Sequence, residues 1–279
     1  MTGSLKTFLA GAAASFALLA AVPGAFAADM IEPPVVPEVI VAPPAVGGWY
    51  LRGDIGYSKA KFRGADYTTI DNCDPCGPVF GSNTLDGDLK GSFLIGGGIG
   101  YQVTDYFRTD LTVDYMTRAK FNGNTYGVGC GDITCASDER SHFSALSILA
   151  NAYVDLGNFA GITPYVGAGI GGTRVKWSDI EDVRYGGSHE GAANWRFTYA
   201  LMAGASVDLT HNLKLDAGYR YRHINGGKMF EGDQWIGDGY DKGMNVHDVR
   251  IGLRYMFGGS EPVYAPQQVS TIVDGPVYK

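Results

Sequence analysis

The sequence predicts an all-β fold, an eight-stranded antiparallel up-and-down transmembrane β-barrel. Eight runs between Trp49 and Phe257 alternate with period two, the links between them are alternately short and long, and no mature segment is long and apolar enough for a spanning helix. The composition agrees, because 41 Gly, 17 Tyr and 13 Phe in 279 residues are typical of strand-and-turn proteins, whereas ordinary globular chains hold roughly 7% Gly.

The amino terminus is laid out as a secretory leader: Lys6 precedes fifteen residues from Phe8 to Val22, and the small-residue site Ala25-Phe26-Ala27 follows. Residues 1–27 are therefore expected to be removed, leaving Ala28 as the mature start. Residues 28–47 form a Pro-rich periplasmic linker, with Pro33-Pro34, Pro37 and Pro43-Pro44 keeping it extended. Residues 48–257 are the barrel and residues 258–279 a periplasmic tail, in which Pro-Val-Tyr occurs at Pro262–Tyr264 and again at Pro276–Tyr278.

The first run sets Trp49, Leu51, Ile55 and Tyr57 against Tyr50, Arg52 and Asp54. The second, 92–103, sets Phe93, Ile95, Ile99 and Tyr101 against Gly96, Gly98 and Gly100, and the third, 106–120, sets Leu111, Val113 and Tyr115 against Arg108, Asp110, Asp114, Arg118 and Lys120. In the fourth, 142–156, Leu146, Ile148, Ala150 and Val154 oppose Ser147, Asn151, Tyr153 and Asp155; the fifth, 163–177, is the least regular. The sixth, 195–209, divides Trp195, Phe197, Tyr199 and Leu201 from Arg196, Thr198, Ser206 and Asp208. The seventh, 213–223, and eighth, 247–257, divide Leu215, Tyr219, Val249, Ile251 and Leu253 from Asp216, Arg220, Arg222, Asp248, Arg250 and Arg254.

Period two alone also fits a soluble sandwich, so the links decide. Those after runs two, four and six are Thr104-Asp105, Gly157–Ile162 and Thr210–Asn212. Those after runs one, three, five and seven are long: Phe62–Leu89, Asn122–Arg140, Ser178–Asn194 and Asn225–Asn245. Short turns at one rim and long loops at the other are the plan of an outer-membrane barrel, with the long loops outside the cell and both termini periplasmic.

On these residues the chain resembles the small opacity-type, OmpA-membrane-domain-like outer-membrane β-barrels of alphaproteobacteria, over nearly all of its mature length. The sharpest match is Arg250-Ile251-Gly252-Leu253-Arg254-Tyr255-Met256-Phe257, similar to the signal read by the barrel-assembly machinery, with Arg250, Gly252, Tyr255 and Phe257 at the signal positions. In that family the signal usually ends the chain, whereas 22 residues follow Phe257 here. The start Ala28-Asp29-Met30-Ile31 is similar to that of related barrels thought to be tethered covalently to peptidoglycan. The resemblance thus makes Ala28 a candidate attachment point.

If the apolar faces meet lipid, the lumen receives Arg52, Arg108, Arg118, Arg196, Arg220, Arg222, Arg250 and Arg254, together with Asp54, Asp110, Asp114, Asp155, Asp208, Asp216 and Asp248. Eight strands enclose only enough room for side chains, so these charges are expected to pair into a plug. The inward glycines, Gly96, Gly98, Gly100, Gly167, Gly169 and Gly171, are expected to make room for long side chains from other strands. Gly167, Gly169 and Gly172 also have the spacing of a dinucleotide-binding loop, but the following Thr173-Arg174-Val175-Lys176-Trp177 has no helical period.

Cys73 and Cys76 fall in the first long link, Cys130 and Cys135 in the second. An oxidising compartment favours disulfides over zinc. Of three connectivities the local pairs are preferred, because each closes its own loop without requiring the loops to meet. His142 with Ser144, and His247 with Asp248, are the residues an enzyme reading would use, but no nucleophile motif surrounds them, and neither catalysis nor a cofactor or metal is expected.

Loss of Lys6 with the leader leaves a net charge of −8, which disfavours a nucleic-acid partner. The four long links alone carry −11, read first as a solvated acidic surface and second as a contact for external ligands. The expected partners are outer-membrane lipid and lipopolysaccharide, the barrel-assembly machinery and, through Ala28, peptidoglycan. The expected role is structural support of the envelope; a porin-like channel for small solutes is the alternative.

Overall fold

The computed structural model describes residues 47–73, 77–128, 134–184 and 186–257. Strands appear in the order β1 (Gly48–Phe62), β2 (Ala65–Cys73), β3 (Gly77–Leu89), β4 (Ser92–Gln102), β5 (Phe107–Val128), β6 (Thr134–Asp155) and β7 (Ile162–Trp177). They continue as β8 (Ile180–Asp182), β9 (Gly187–His189), β10 (Ala193–Asp208), β11 (Leu213–Ile224), β12 (Gly227–Phe230), β13 (Gly239–Asp241) and β14 (Met244–Met256). No helix among the described residues is long and apolar enough to cross a membrane, so any crossing uses strands.

Antiparallel ladders join β1 to β4, β4 to β5, β5 to β6, β6 to β7, β7 to β10, β10 to β11, and β11 to β14. The seam closes when β14 pairs with β1 from Tyr50↔Met256 to Phe62↔Met244. Closure leaves no edge with unpaired backbone groups in the ring. Each of the eight alternating runs lies in one ring strand.

The long links differ from the expectation of plain loops. Six further strands occupy three of them, and β5 and β6 run on together through the second, as far as Val128↔Thr134. The β2–β3 hairpin is laddered onto the extension of β5 from Asn83↔Gly127 to Leu89↔Phe121, and β13 pairs with β2. By contrast the short links are tight turns: Val103 N–H donates to Phe107 O at 2.9 Å, and Leu209 N–H to Leu213 O at 2.9 Å.

A single change of sidedness organises the ring strands. On β1 the exposed positions run Trp49, Leu51, Ile55, Tyr57 and then Lys59 and Lys61, while the buried ones run Tyr50, Arg52, Asp54, Ser58 and then Ala60 and Phe62. β7 repeats the switch: Val166 and Ile170 give way outside to Arg174 and Lys176, as Thr173 gives way inside to Val175 and Trp177. Near the turns the barrel is apolar outside and polar inside, as lipid demands. Past the switch β1 and β7 are polar outside and apolar inside, like a water-soluble sandwich, whereas β10 keeps Trp195 outside and Arg196 inside.

Candidate functional site

The turn-side lumen holds six buried arginines, Arg52, Arg108, Arg220, Arg222, Arg250 and Arg254, and six buried aspartates, Asp54, Asp110, Asp114, Asp155, Asp216 and Asp248. Equal numbers leave this tier without net charge. Near its turn end Arg52 grips Asp54 with two hydrogen bonds of 2.8 and 2.9 Å and reaches Asp110 at 2.8 Å. Asn151 Nδ2 donates to the second oxygen of Asp110 at 2.7 Å. Arg254 makes the matching pair with Asp216 at 3.1 and 3.2 Å.

Arg108 bonds Asp155 at 3.1 Å, and its Nη atoms have no hydrogen-bond partner. Its guanidinium lies 4.1 Å from the Tyr153 ring centroid and 4.7 Å from that of Tyr165, a stacked position in which the rings partly replace water. Higher in the lumen Asp248 is the hub. It accepts from Arg220 Nε at 2.8 Å, Arg222 Nη2 at 3.0 Å and Ser58 Oγ at 2.6 Å, while Arg220 Nη1 reaches across to Asp114 at 2.6 Å.

Glycines make this crowding possible. A Cβ on Gly100 would stand 2.2 Å from the Tyr50 ring, one on Gly96 2.1 Å from an Asp114 oxygen, and one on Gly167 2.5 Å from Tyr153. The inward glycines thus house side chains of the adjacent strands, aromatic and neutral polar ones as well as charged. Gly167, Gly169 and Gly172 all lie on β7, with no helix behind them.

Above the charged tier sits an apolar one that the sequence reading missed. Trp177, fully buried, is packed edge-on by Phe62, Phe121 and Phe143 at centroid distances of 5.8, 5.2 and 5.2 Å. Leu85 and Leu89 of β3, Met229 and Phe230 of β12, and Met244 complete the cluster. The signal was present, since Ala60-x-Phe62 and Val175-x-Trp177 continue the inward parity of β1 and β7.

Two of the expected lumen residues lie elsewhere. Arg118 is exposed, because a bulge between Met116 and Ala119 shifts β5 by one residue and turns an even-numbered position outward. Asp208 is also exposed, at the end of β10, where it pairs with Lys214 at 2.6 Å across the turn. Arg196 is buried but belongs to the upper tier. It bonds Asp241 of β13 at 2.7 Å and Lys228 O at 2.9 Å, latching the fourth long link to the ring; Trp177 Nε1 donates to the same Asp241 at 3.2 Å. Arg250 is buried with Nη1 unpartnered, and the inward Gly252 would place a Cβ 2.4 Å from Asp54 Oδ1. Tyr255 and Phe257 point outward, with their rings 5.2 Å apart.

Ala28, the leader and the tail lie outside the described residues, as do Cys76 and Cys130. Of Cys73 and Cys135 only the backbone is described, opposite Gly77 and Gly127. The first two long links do meet, through β3 and β5, which removes the ground for preferring local disulfides. His142 and Ser144 face outward, and the neighbours His247 and Asp248 point to opposite faces of β14. No group of three or more potential metal ligands occurs among the described residues.

In the loop-side extension of β5 and β6, burial raises the Glu139 carboxyl above the ordinary range, although Thr125 Oγ1 donates to it at 2.6 Å. Asp233 is held below the ordinary range by the backbone N–H groups of Trp235 and Ile236, at 2.8 and 2.9 Å.

A closed antiparallel ring matches what comparison with known proteins finds. Residues 13–257 match the outer membrane protein beta-barrel domain family. The chain belongs to this family. Among relatives of this outer-membrane barrel, a protein of Brucella suis biovar 1 (strain 1330) is 39% identical over 277 residues, 86% of this chain and 95% of that one. Outer membrane protein PagN of Salmonella typhimurium is 29% identical, over 75% of this chain and 90% of its own. A putative adhesin of Rickettsia bellii is 28% identical over 75% and 81%. Outer membrane protein OprG of Pseudomonas aeruginosa is a structural neighbour of the barrel, with a TM-score of 0.47 and 14% identity over 75% of this chain and 96% of that one.

Proposed function

We propose that the chain is a sealed, non-catalytic barrel that crosses the outer membrane with eight strands and holds a folded acidic sheet at the cell surface as a structural and contact element. The observation that carries this reading is the double seal. A neutral network of six arginines and six aspartates fills one half of the lumen, and the Trp177 cluster fills the other. Eight strands leave room only for side chains, whereas aqueous pores need about 16 to 18.

The change of sidedness and the rim of short turns support long links outside the cell and a barrel that begins and ends on the periplasmic side. The outward Tyr255 and Phe257, with Gly252 between the strands, suit reading by the barrel-assembly machinery. Exposed Phe80 on β3 and Trp235 in the fourth link offer apolar anchors within the acidic sheet for external ligands, and the name of the Rickettsia relative is in keeping with such contacts. On the inner side, Ala28 on its Pro-rich spacer is the proposed peptidoglycan attachment. Tyr67, Asn83, Gly127 and Cys135 stand level across four strands, so Cys73, six residues further along, is about 20 Å or more from Cys135, and a disulfide between these two is beyond reach.

The deciding experiment is conductance of the folded protein in a planar bilayer. The expected record is flat, and long-lived, reproducible steps in a preparation free of other porins would overturn the reading in favour of a small-solute channel. Muramidase digestion of purified sacculi tests the tether: peptides beginning at Ala28 and carrying muropeptide are expected, and free amino termini alone would refute it.

A further inference from the structure

The outer face of the barrel changes character in one step, and the change is not uniform around the ring. Tyr57, Phe93, Tyr115 and Ile170 end the apolar band on β1, β4, β5 and β7. The next outward positions are Lys59 and Lys61 on β1, Lys90 just before β4, and Arg118 and Lys120 on β5. Arg174 and Lys176 extend the row on β7. All seven are exposed. At about 3.3 Å per residue the row begins about 7 Å past the last apolar position on β1, about 10 Å past it on β5 and about 13 Å past it on β7.

Lys90 and Lys120 are neighbours of one another, and Asp88, two residues from Lys90 on the same face, forms no ion pair with either. Lys90 N–H, just past the end of β3, donates to Lys120 O of β5 at 2.8 Å, which seats the two lysines side by side, while Lys120 stands opposite His142 and Lys59 opposite His247. The like charges of Lys90 and Lys120 side by side are destabilising. None of the seven has an ion pair among the described residues, although the chain carries −7 overall. The exposed lysine and arginine ion pairs are elsewhere: Arg184–Asp138, Lys214–Asp208, Lys242–Asp66, and Lys228 with Glu231 and Asp238. On the other side of the ring β10, β11 and β14 present Trp195, Tyr221, His223 and His247 at this height, with no lysine or arginine. The row is a sector.

We propose that this sector is a binding belt for the phosphate groups of the phosphorylated glycolipid in the surrounding outer leaflet. The proposal rests on the reading that the long links lie outside the cell. A phosphate seated between Lys90 and Lys120, or between Lys59 and Lys61, would neutralise cations that the fold leaves facing each other, and Arg118 and Arg174 can fork onto a second phosphate oxygen. Position favours a lipid over a soluble polyanion. The belt sits at headgroup depth beneath a sheet bearing Asp86, Asp88 and Asp138, which a polyanion arriving from solvent would meet first.

The test is a binding titration of the full-length folded protein in detergent with bisphosphorylated lipid A and with the same lipid stripped of phosphate. The parent should prefer the phosphorylated lipid by about a hundredfold, on the order of a few favourable lysine or arginine contacts. A variant combining Lys59→Gln, Lys61→Gln, Lys90→Gln and Lys120→Gln should lose most of that preference, as should the independent double variant Arg174→Gln and Lys176→Gln in smaller measure; Tyr221→Phe on the opposite sector should not. Heat-modifiable migration on cold gels establishes that each variant is folded, and the double variant serves if the quadruple one is not. Equal binding of the two lipids by the parent would overturn the belt, as would unchanged preference in folded variants or tighter binding of a sulfated polysaccharide lost in the same variants. Orientation is read separately, from antibody access on intact cells to an epitope inserted after exposed Arg184, so either reading can fail without the other.

Discussion

The turn-side and loop-side halves of this barrel are built on the same eight strands with opposite rules. In the turn-side half Arg220, Arg222 and Asp248 are fully buried, while Ile55 and Phe93 are exposed by 61% and 72%. In the loop-side half Trp177 and Phe121 are fully buried and lysines face out. The difference shows what each solvent demands. In lipid the interior is the only place for polar groups, so stability rests on charge pairing with little help from water. In water the hydrophobic effect operates again and an aromatic core suffices. On the proposed reading, the level at which the strands exchange rules is the membrane surface.

The largest effect is expected where the charged half is broken at its hub. Asp248→Ala leaves Arg220 and Arg222 buried together without their shared carboxylate, and removal of one partner from such a pair costs about 3–5 kcal/mol. Urea unfolding in detergent should show a drop of that size. A change within about 1 kcal/mol would mean that water already reaches the pair and that the lumen is wetter than its geometry implies.

Trp177→Ala strikes the other half. Emptying so large a buried site costs about 3 kcal/mol or more, but the loss should be confined to the loop-side sheet, with earlier hydrogen exchange there and unchanged migration on cold gels. The halves also seal independently. Trp177→Ala alone should stay non-conducting in planar bilayers, while Trp177→Ala combined with Arg220→Ala and Arg222→Ala should leak. A leak from Trp177→Ala alone would show that the charged tier is not a seal.

The turn-side half was far more legible in the sequence than the loop-side half, for a physical reason. Alternation such as Leu111-Thr112-Val113-Asp114-Tyr115 is forced on every residue that faces lipid, so the inward assignment of Arg52, Asp110 or Arg220 follows from parity alone. Parity fails at irregularities: Arg118 is one residue past a bulge that no local pattern announces, and Asp208 lies where the strand frays into its turn. Beyond the membrane the constraint lapses. The β3 segment Gly77–Leu89 is held by its ladder to β5, about 40 residues away in sequence, and its polar, Gly-containing sequence reads as loop. Arg196 illustrates the mixed case, correctly placed inside yet paired with Asp241 of a segment taken for loop.

A smaller effect separates the two faces of the turn-side half. Gly171 faces the lumen, and a Cβ there would lie 2.0 Å from the backbone oxygen of Ile148, whereas Gly53 faces outward with nothing within 4 Å. Gly171→Ala should cost about 1–3 kcal/mol through forced strand displacement. Gly53→Ala should be close to neutral in the same urea titration. Equal costs would point to backbone entropy rather than crowding as the reason for the glycine.

The smallest effects lie within the loop-side half, where two carboxylates should respond to acid with opposite signs. Glu139 is raised by burial, so the folded sheet binds its proton more tightly than the unfolded chain does, and the penalty of its charge is present at neutral pH. That penalty is relieved as pH falls through the raised value towards the ordinary glutamate range. Asp233 is lowered by the N–H groups of Trp235 and Ile236, so its contribution is present above the ordinary aspartate range and is lost as pH falls through the depressed value. Stepped acidification should therefore first slow hydrogen exchange around β5 and β6 near Glu139, and only at lower pH speed it in the fourth long link. Each change should be well under about 1 kcal/mol, since Asp233 is exposed and screened. Glu139→Gln should abolish the first step and leave the second, and Asp233→Asn the reverse. A first step that survives Glu139→Gln would assign it to another carboxylate, and with it the claim that a buried acid lies inside the water-facing sheet would fall.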